Sequence, residues 1–270
     1  MALSNLSYND TIEGKWNKNR YRIIKKLGEG GIGTVYKAIN PGDNRVYALK
    51  FSEDNMSLNR EYGILRKLEH VANVVKAYEI DDADINNKIY YFIAMEYING
   101  DTLNNYRKRN KIGVAGALHI TIILLKFMDE IHKEGYILGD TKLNNIMVNN
   151  KGGKIRFIDL GGAVETGSAI KEFTPAYDRA GWGCGYRISE PSYDLFSAVM
   201  VLTQLLLEID INPRKQTLDR IKTRLNNKVA DRALKTSITE ILNGRKEDVK
   251  SFANTLLAIY NKRRIEEEIT

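Results

Sequence analysis

Gly139-Asp140-Thr141-Lys142-Leu143-Asn144-Asn145, followed downstream by Ile158-Asp159-Leu160-Gly161, is the stretch on which the reading of this chain turns. It contains the pattern D-x-K-x-x-N, and Asp159 stands nineteen residues after Asp140. Asp159 and Asn145 carry hard oxygen donors of the kind Mg²⁺ takes. Asp140 can orient a hydroxyl and accept its proton, and Lys142 can neutralise a transferring phosphoryl group. Each residue alone has a plain structural use. Asp140 could cap a turn, and Asn145 could satisfy loop backbone. Their order and spacing together point to phosphoryl transfer.

Such chemistry also needs a cradle for nucleotide phosphates. Gly28-Glu29-Gly30-Gly31-Ile32-Gly33 matches G-x-G-x-x-G. In a dinucleotide-binding unit these glycines open a helix. Here Gly33 leads into Thr34-Val35-Tyr36-Lys37-Ala38-Ile39, which alternates like a strand. A strand–glycine loop–strand hairpin suits a flap over phosphates, because glycines let backbone approach where side chains would collide. The sequence has no G-K-[ST], which excludes a P-loop. Tyr47-Ala48-Leu49-Lys50 supplies a lysine on the next strand, and Glu61 on the following helix is its expected partner. An isolated Lys–Glu pair is worth only about 0–1 kcal/mol when exposed. The glycine flap ahead of it favours the functional reading.

Outward from these motifs, the first hundred residues read mostly as strands: 21–26, 34–39, 46–51, 74–80 and 89–96, with a helix over 55–68. After Gly100 the texture changes. A long helix spans 114–132, a short hairpin covers 146–148 and 155–158, and helices follow from Asp194 onward. This predicts an α+β chain with a small β-rich lobe (1–98) carrying one main helix, and a larger, mostly helical lobe (99–270). The 270 residues are 43% hydrophobic and 28% charged, enough to bury a core without staples. Cys184 is the one cysteine, so an internal disulfide and a multi-cysteine zinc site are excluded. It is expected to be a small residue in a packed loop. The apolar run 195–207 is too short to span a bilayer and reads as a buried helix. The first ten residues lack the basic and apolar regions of a signal peptide, so the expected compartment is the cytoplasm. Net charge is +7, and residues 211–250 alone hold eleven Lys/Arg against five Asp/Glu. A second basic block is 107–111. Both are solvated faces or a patch for acidic partners such as double-stranded DNA.

Taken together, the motifs resemble those of a protein kinase from about Tyr21 to Tyr260. The resemblance implies the bilobal protein-kinase fold, ATP as phosphoryl donor, and two Mg²⁺ ions with Mn²⁺ as a substitute. Carried over by motif, Gly28, Gly30 and Gly33 form the phosphate loop, and Lys50, paired with Glu61, contacts the α/β-phosphates. Val35, Ala48 and Met147 sandwich the adenine. Met95 falls at the gatekeeper, and Glu96 and Tyr97 at the hinge. Asp140 is the catalytic-loop aspartate, Lys142 its companion, and Asn145 and Asp159 are the metal ligands. A lysine two residues after the aspartate resembles the serine/threonine kinases, whose substrates are protein Ser and Thr hydroxyls. Asp194 matches the buried aspartate that opens the central apolar helix.

There are departures. The usual H-R-D reads Leu138-Gly139-Asp140, so the arginine that binds an activation-loop phosphate is missing, and activation is expected not to depend on one there. Thr174-Pro175-Ala176-Tyr177 fits the start of a substrate-facing loop, but A-P-E is absent and Asp178-Arg179-Ala180-Gly181 follows. Gly14-Lys15-Trp16-Asn17, Trp182-Gly183 and Glu190-Pro191-Ser192-Tyr193-Asp194 resemble bacterial Hanks-type kinases of spore-forming bacilli. That implies a link to sporulation and modulation by DNA, with a membrane anchor in longer forms. Two other readings stand beside this one. A small-molecule kinase of the antibiotic or sugar type would consume ATP on hydroxylated compounds. A pseudokinase scaffold would bind nucleic acid without turnover.

Overall fold

Alternation of apolar and polar residues makes the N-terminal part a sheet, and the polar turns between the runs set its order. The computed structural model describes residues 6–30, 33–150, 152–245 and 247–269. It divides into two compact units, one comprising Met1–Asn99 with Ile158–Gly161, the other Gly100–Phe157 with Gly162–Thr270. The belt Ile158–Gly161, which a linear division puts in the second lobe, thus groups with the first unit.

In the first unit, strands β1 (Thr11–Glu13), β2 (Arg20–Glu29), β3 (Thr34–Ile39), β4 (Val46–Ser52), β5 (Ala77–Ile85) and β6 (Lys88–Glu96) form an antiparallel sheet in the order β1-β2-β3-β4-β6-β5. Its one helix, α1 (Asn55–Lys67), packs on β5 and β6. Period-two alternation sorts the side chains. Tyr21, Ile23, Tyr36, Leu49, Phe51 and Phe92 bury together, with Tyr21 meeting Phe92 edge-on at 5.9 Å. Val35, Ala48, Lys50 and Met95 take the other face, with Val35 opposite Lys50 and Ala48 opposite Met95. The helix opens on Asp54, whose carboxylate accepts from the Ser57 N–H, and it buries Leu58, Glu61, Ile64 and Leu65 at helical spacing.

The strand expected at 74–80 instead spans Ala77–Ile85. The extension carries the acidic run Asp81-Asp82-Ala83-Asp84, in which Asp81 is buried and accepts the N–H groups of Trp16 and Asn17. A distant turn satisfies its charge, which no local pattern reveals.

In the second unit, β7 (Gly100–Thr102), β9 (Ile146–Asn149) and β10 (Ile155–Phe157) form one small sheet, and β8 (Tyr136–Ile137) pairs with β11 (Val164–Glu165). The helices are α2 (Leu103–Arg109), α3 (Val114–Lys133), α4 (Pro191–Leu207), α5 (Leu218–Lys228), α6 (Arg232–Leu242) and α7 (Val249–Ile269). Pro191 starts α4, where its missing N–H costs nothing. Every residue from Tyr193 to Leu207 is buried. A helix apolar on all sides must be surrounded, and α3, α5, α6 and α7 all pack on it.

Candidate active site

The first group of functional candidates lies within the first unit. Lys50 on β4 is 7% exposed and Glu61 on α1 is 0% exposed. The Lys50 ammonium donates to both Glu61 carboxylate oxygens, at 2.8 and 2.7 Å, and to Asp159 Oδ1 at 3.2 Å. Burial by itself would lower the pKa of this amine. The carboxylates of Glu61 and Asp159 outweigh that and hold it above the ordinary lysine range. Asp159 is 35% exposed on its side chain and also accepts the Gly161 N–H at 3.0 Å, which closes a tight turn. Arg60, next to Glu61, donates to the Gly161 carbonyl at 2.9 Å. Helix α1 therefore holds this turn twice, once through Lys50 and once directly.

The other expected nucleotide-binding positions of this unit line up by register. Val35, Ala48 and Met95 share the face that carries Lys50, and the Lys37 ammonium lies 4.3 Å over the Tyr97 ring. Glu96 donates its N–H to the Lys76 carbonyl at 2.8 Å, which fixes the exit from β6. Gly28 pairs with Val35, and Gly30 donates to the Gly33 carbonyl at 2.9 Å to close the loop. Gly31 and Ile32 lie outside the described residues. A Cβ at Gly33 would come within 1.9 Å of the Phe51 carbonyl oxygen, so close strand approach demands glycine there.

The second group lies within the second unit. Asp194 in the first turn of α4 is fully buried and accepts the N–H groups of Leu138 and Gly139 at 2.8 and 3.1 Å. Its Oδ2 also lies 2.8 Å from His132 Nε2. That clamp fixes the backbone just before Asp140. Gly139 has φ +73, and a Cβ there would stand 2.7 Å from the Gly162 carbonyl oxygen. Any side chain at this position, arginine included, would be strained on this path.

Asp140 itself is held at both oxygens. Lys142 Nζ lies 2.5 Å from Oδ2, and the Thr174 hydroxyl donates to Oδ1 at 2.7 Å. Asn145 spends its amide nitrogen on the Asp140 carbonyl at 3.0 Å, which leaves the amide oxygen as its donor atom for a cation. Met147 sits half-buried on β9. Thr174 was legible only as the start of a loop, because nothing local ties it to a residue thirty-four positions earlier. The Tyr177 hydroxyl donates to Gln204 Oε1 at 2.5 Å; burial pushes this phenol up to about 12, so it stays protonated. Trp182 anchors its loop by donating to the Ala176 carbonyl, and Cys184 is a half-buried thiol whose pKa is raised by that burial.

The two basic blocks fare differently. Arg107 turns inward to Asn104 and Asp210; Arg109 pairs with Asp101 but stays exposed, as do Lys108 and Lys111. In 211–250, Lys222, Lys228 and Arg245 face carboxylates, whereas Arg214, Lys215, Arg220, Arg224, Arg232 and Lys250 are exposed.

The fold and these two groups agree with a family match. The model of the protein kinase domain family matches residues 21–268, so the chain belongs to that family. It is 35% identical over 243 residues to the serine/threonine-protein kinase YabT of Bacillus subtilis, covering 87% of this chain and 70% of that one. It is 31% identical over 159 residues to the "Probable serine/threonine-protein kinase PknB" of Lactococcus lactis, covering 55% of this chain and 24% of that protein. Cyclin-dependent kinase 12 of Caenorhabditis elegans is 29% identical over 162 residues, 54% of this chain and 22% of its own length. The chain thus spans about a quarter or less of the last two.

Protein kinases use ATP and a divalent metal ion. The Asp159 carboxylate in the first unit and the Asn145 amide oxygen in the second are each hard donors of the kind such an ion takes. Among the described residues no cluster of three or more His, Cys, Asp or Glu could hold a metal. Among those residues, too, no helix is long and apolar enough to cross a membrane.

Proposed function

We propose that the chain is an ATP- and Mg²⁺-dependent serine/threonine protein kinase. The observation that carries this is the Thr174 hydroxyl on Asp140 Oδ1 at 2.7 Å, with Lys142 on the other oxygen. An aliphatic alcohol fits against this carboxylate, in a position to be oriented and relieved of its proton. In this reading Gly28, Gly30 and Gly33 admit the phosphates to the backbone. Val35, Ala48, Met95, Glu96, Tyr97 and Met147 receive the adenine. Lys50, kept charged and immobile by Glu61, binds the α/β-phosphates. Asp140 takes the proton of the acceptor Ser or Thr as its oxygen attacks the γ-phosphorus, and Lys142 offsets the negative charge that spreads over the transferring group. Asn145 and Asp159 would hold two Mg²⁺, with Mn²⁺ as a substitute, and the metal would neutralise charge on the phosphate oxygens. The need for ATP is the basis for assigning the reaction to the cytoplasm.

Double-stranded DNA is the second partner in this reading, approached through 211–250, with 107–111 contributing Lys108 and Lys111. The exposed arginines of α5 support it. The segment 211–250 has no aromatic residue to stack on bases, so contact would be with phosphates and weakly sequence-dependent.

The test is phosphate transfer from labelled ATP with Mg²⁺, to the chain itself and to a basic protein acceptor, with and without duplex DNA. Transfer that disappears in Asp159→Asn and Lys50→Ala supports the assignment. Undiminished transfer in both variants would overturn it, and ATP consumption on small hydroxylated compounds alone would make the chain a small-molecule kinase.

A further inference from the structure

The segment that begins at Thr174 lacks A-P-E, yet it is firmly tied. Asp178 is buried and its carboxylate accepts five hydrogen bonds. The N–H groups of Ala180 and Gly181 donate at 3.2 and 3.0 Å, the Tyr193 hydroxyl at 3.1 Å, and Arg187 Nε and Nη2 at 2.9 and 2.6 Å. One residue on, Arg179 points its charge the other way across the same loop. It donates to Glu190 Oε1 at 2.9 Å, to the Ser192 hydroxyl at 2.7 Å and to the Tyr186 carbonyl at 2.5 Å. Two Arg–carboxylate pairs of opposite order, Asp178 with Arg187 and Arg179 with Glu190, therefore join the two limbs of the loop. Asp178 and Arg179 also reach the first turn of α4, through the Tyr193 and Ser192 hydroxyls.

Arg187 has a further contact. Its guanidinium lies 3.8 Å from the centre of the Phe173 ring, while its side chain remains 40% exposed. Phe173 is covalently next to Thr174, whose hydroxyl reaches Asp140 Oδ1. A continuous path thus runs from Asp178 through Arg187 and Phe173 to Thr174 and Asp140. Its first link is a charge-assisted pair in which Nε and Nη2 of Arg187 both donate to Asp178 Oδ2, its second a cation on an aromatic face. A lysine could supply the charge but not the flat fork that satisfies Asp178 and covers the ring together.

We infer that Asp178 and Arg187 are positioning residues for the protein acceptor, locking Phe173 and Thr174 against Asp140 where other sequences would use A-P-E. This rests on the reading of Asp140 as the group that meets the acceptor hydroxyl. The pair acts on the acceptor side, so it governs kcat/KM for protein and leaves nucleotide affinity alone.

The experiment compares wild type with Arg187→Met, Arg187→Lys and Phe173→Leu. It measures kcat/KM for a basic protein acceptor, the Kd for ADP by calorimetry and the thermal unfolding temperature. For Arg187→Met, kcat/KM is expected to fall about tenfold or more, while the ADP Kd stays within about twofold. Arg187→Lys should recover part of that loss. Phe173→Leu, which leaves the Asp178 pair intact, should fall in the same direction. Wild-type kcat/KM in both Arg187→Met and Phe173→Leu would overturn the inference. So would a loss of ADP binding in step with the unfolding temperature, since that marks a purely structural role. If Arg187→Met fails to fold, Phe173→Leu and Arg187→Lys decide. Failure of the underlying reading shows earlier and separately, as a wild-type chain that phosphorylates no protein.

Discussion

Lys50 shows how burial and charge are balanced in one residue. A buried ammonium is costly, and Glu61 and Asp159 together make it tolerable. Removing one partner leaves a buried charge exposed to that cost, so Glu61→Gln is expected to destabilise the fold by about 3–5 kcal/mol, read by denaturant unfolding. The pH dependence follows from the direction of the shift. The folded pKa lies above the ordinary 10.5, so the stability from this pair is complete below pH 10.5 and is lost only as pH rises through the folded value. Asp140→Asn keeps the shape and loses the base, and should lower the transfer rate by about 10²–10⁴.

The loop glycines separate fold from function. Among the described residues a Cβ at Gly30 meets nothing within 4 Å, and the backbone there is not left-handed, so none of them requires glycine. Gly30→Ala should keep stability within about 1 kcal/mol and raise the KM for ATP. Gly33→Ala, blocked by the Phe51 carbonyl, should lose both. Thermal unfolding beside ATP kinetics distinguishes the two.

At the scale of the element, α1 is the part on which the first group depends, since Arg60 and Glu61 both stand on it. Its N-terminus is capped by Asp54, whose carboxyl is held below the ordinary 3.8, first by the Ser57 hydroxyl and then by the Ser57 N–H. The contribution of this cap is present above pH 3.8 and is lost as pH falls through the lower folded value. Asp54→Ala should lower the unfolding temperature at neutral pH, and the gap to wild type should close on acidification. A gap that persists at low pH would show that the cap is not what supports α1. The legibility of elements followed the same logic. Helix α1 and the run that became α4 are patterned locally, whereas β5 is held by Asp81 reaching a turn sixty-four residues away, and its limits could not be read.

For the whole molecule the charge pattern makes the remaining prediction. Besides Lys228 and Arg245, which are exposed but face carboxylates, six described cations in 211–250 are exposed: Arg214, Lys215, Arg220, Arg224, Arg232 and Lys250. If all contact phosphate, the slope of log K for duplex DNA against log salt should be roughly −5. Arg220→Glu with Arg224→Glu should weaken binding and flatten that slope in a salt titration. Binding insensitive to salt would exclude this surface.

What the sequence by itself determined was the family and the candidates for its chemistry: Gly28, Gly30, Gly33, Lys50, Asp140, Lys142, Asn145 and Asp159 belong to short motifs whose order and spacing are local properties. What only the tertiary structure decided were the pairs that cross the chain. Thr174 on Asp140, Arg60 on Gly161, and Asp178 with Arg187 beneath Phe173 each join residue types common in any sequence, at separations no motif specifies. At Gly139 the sequence shows only that the usual arginine is missing; the Gly162 carbonyl oxygen, 2.7 Å from where a Cβ would stand, belongs to the fold. Local patterns encode residue type and periodicity. The partner of a buried charge is chosen by which side chain the folded backbone brings within about 3 Å, and that is settled only when the packing is complete.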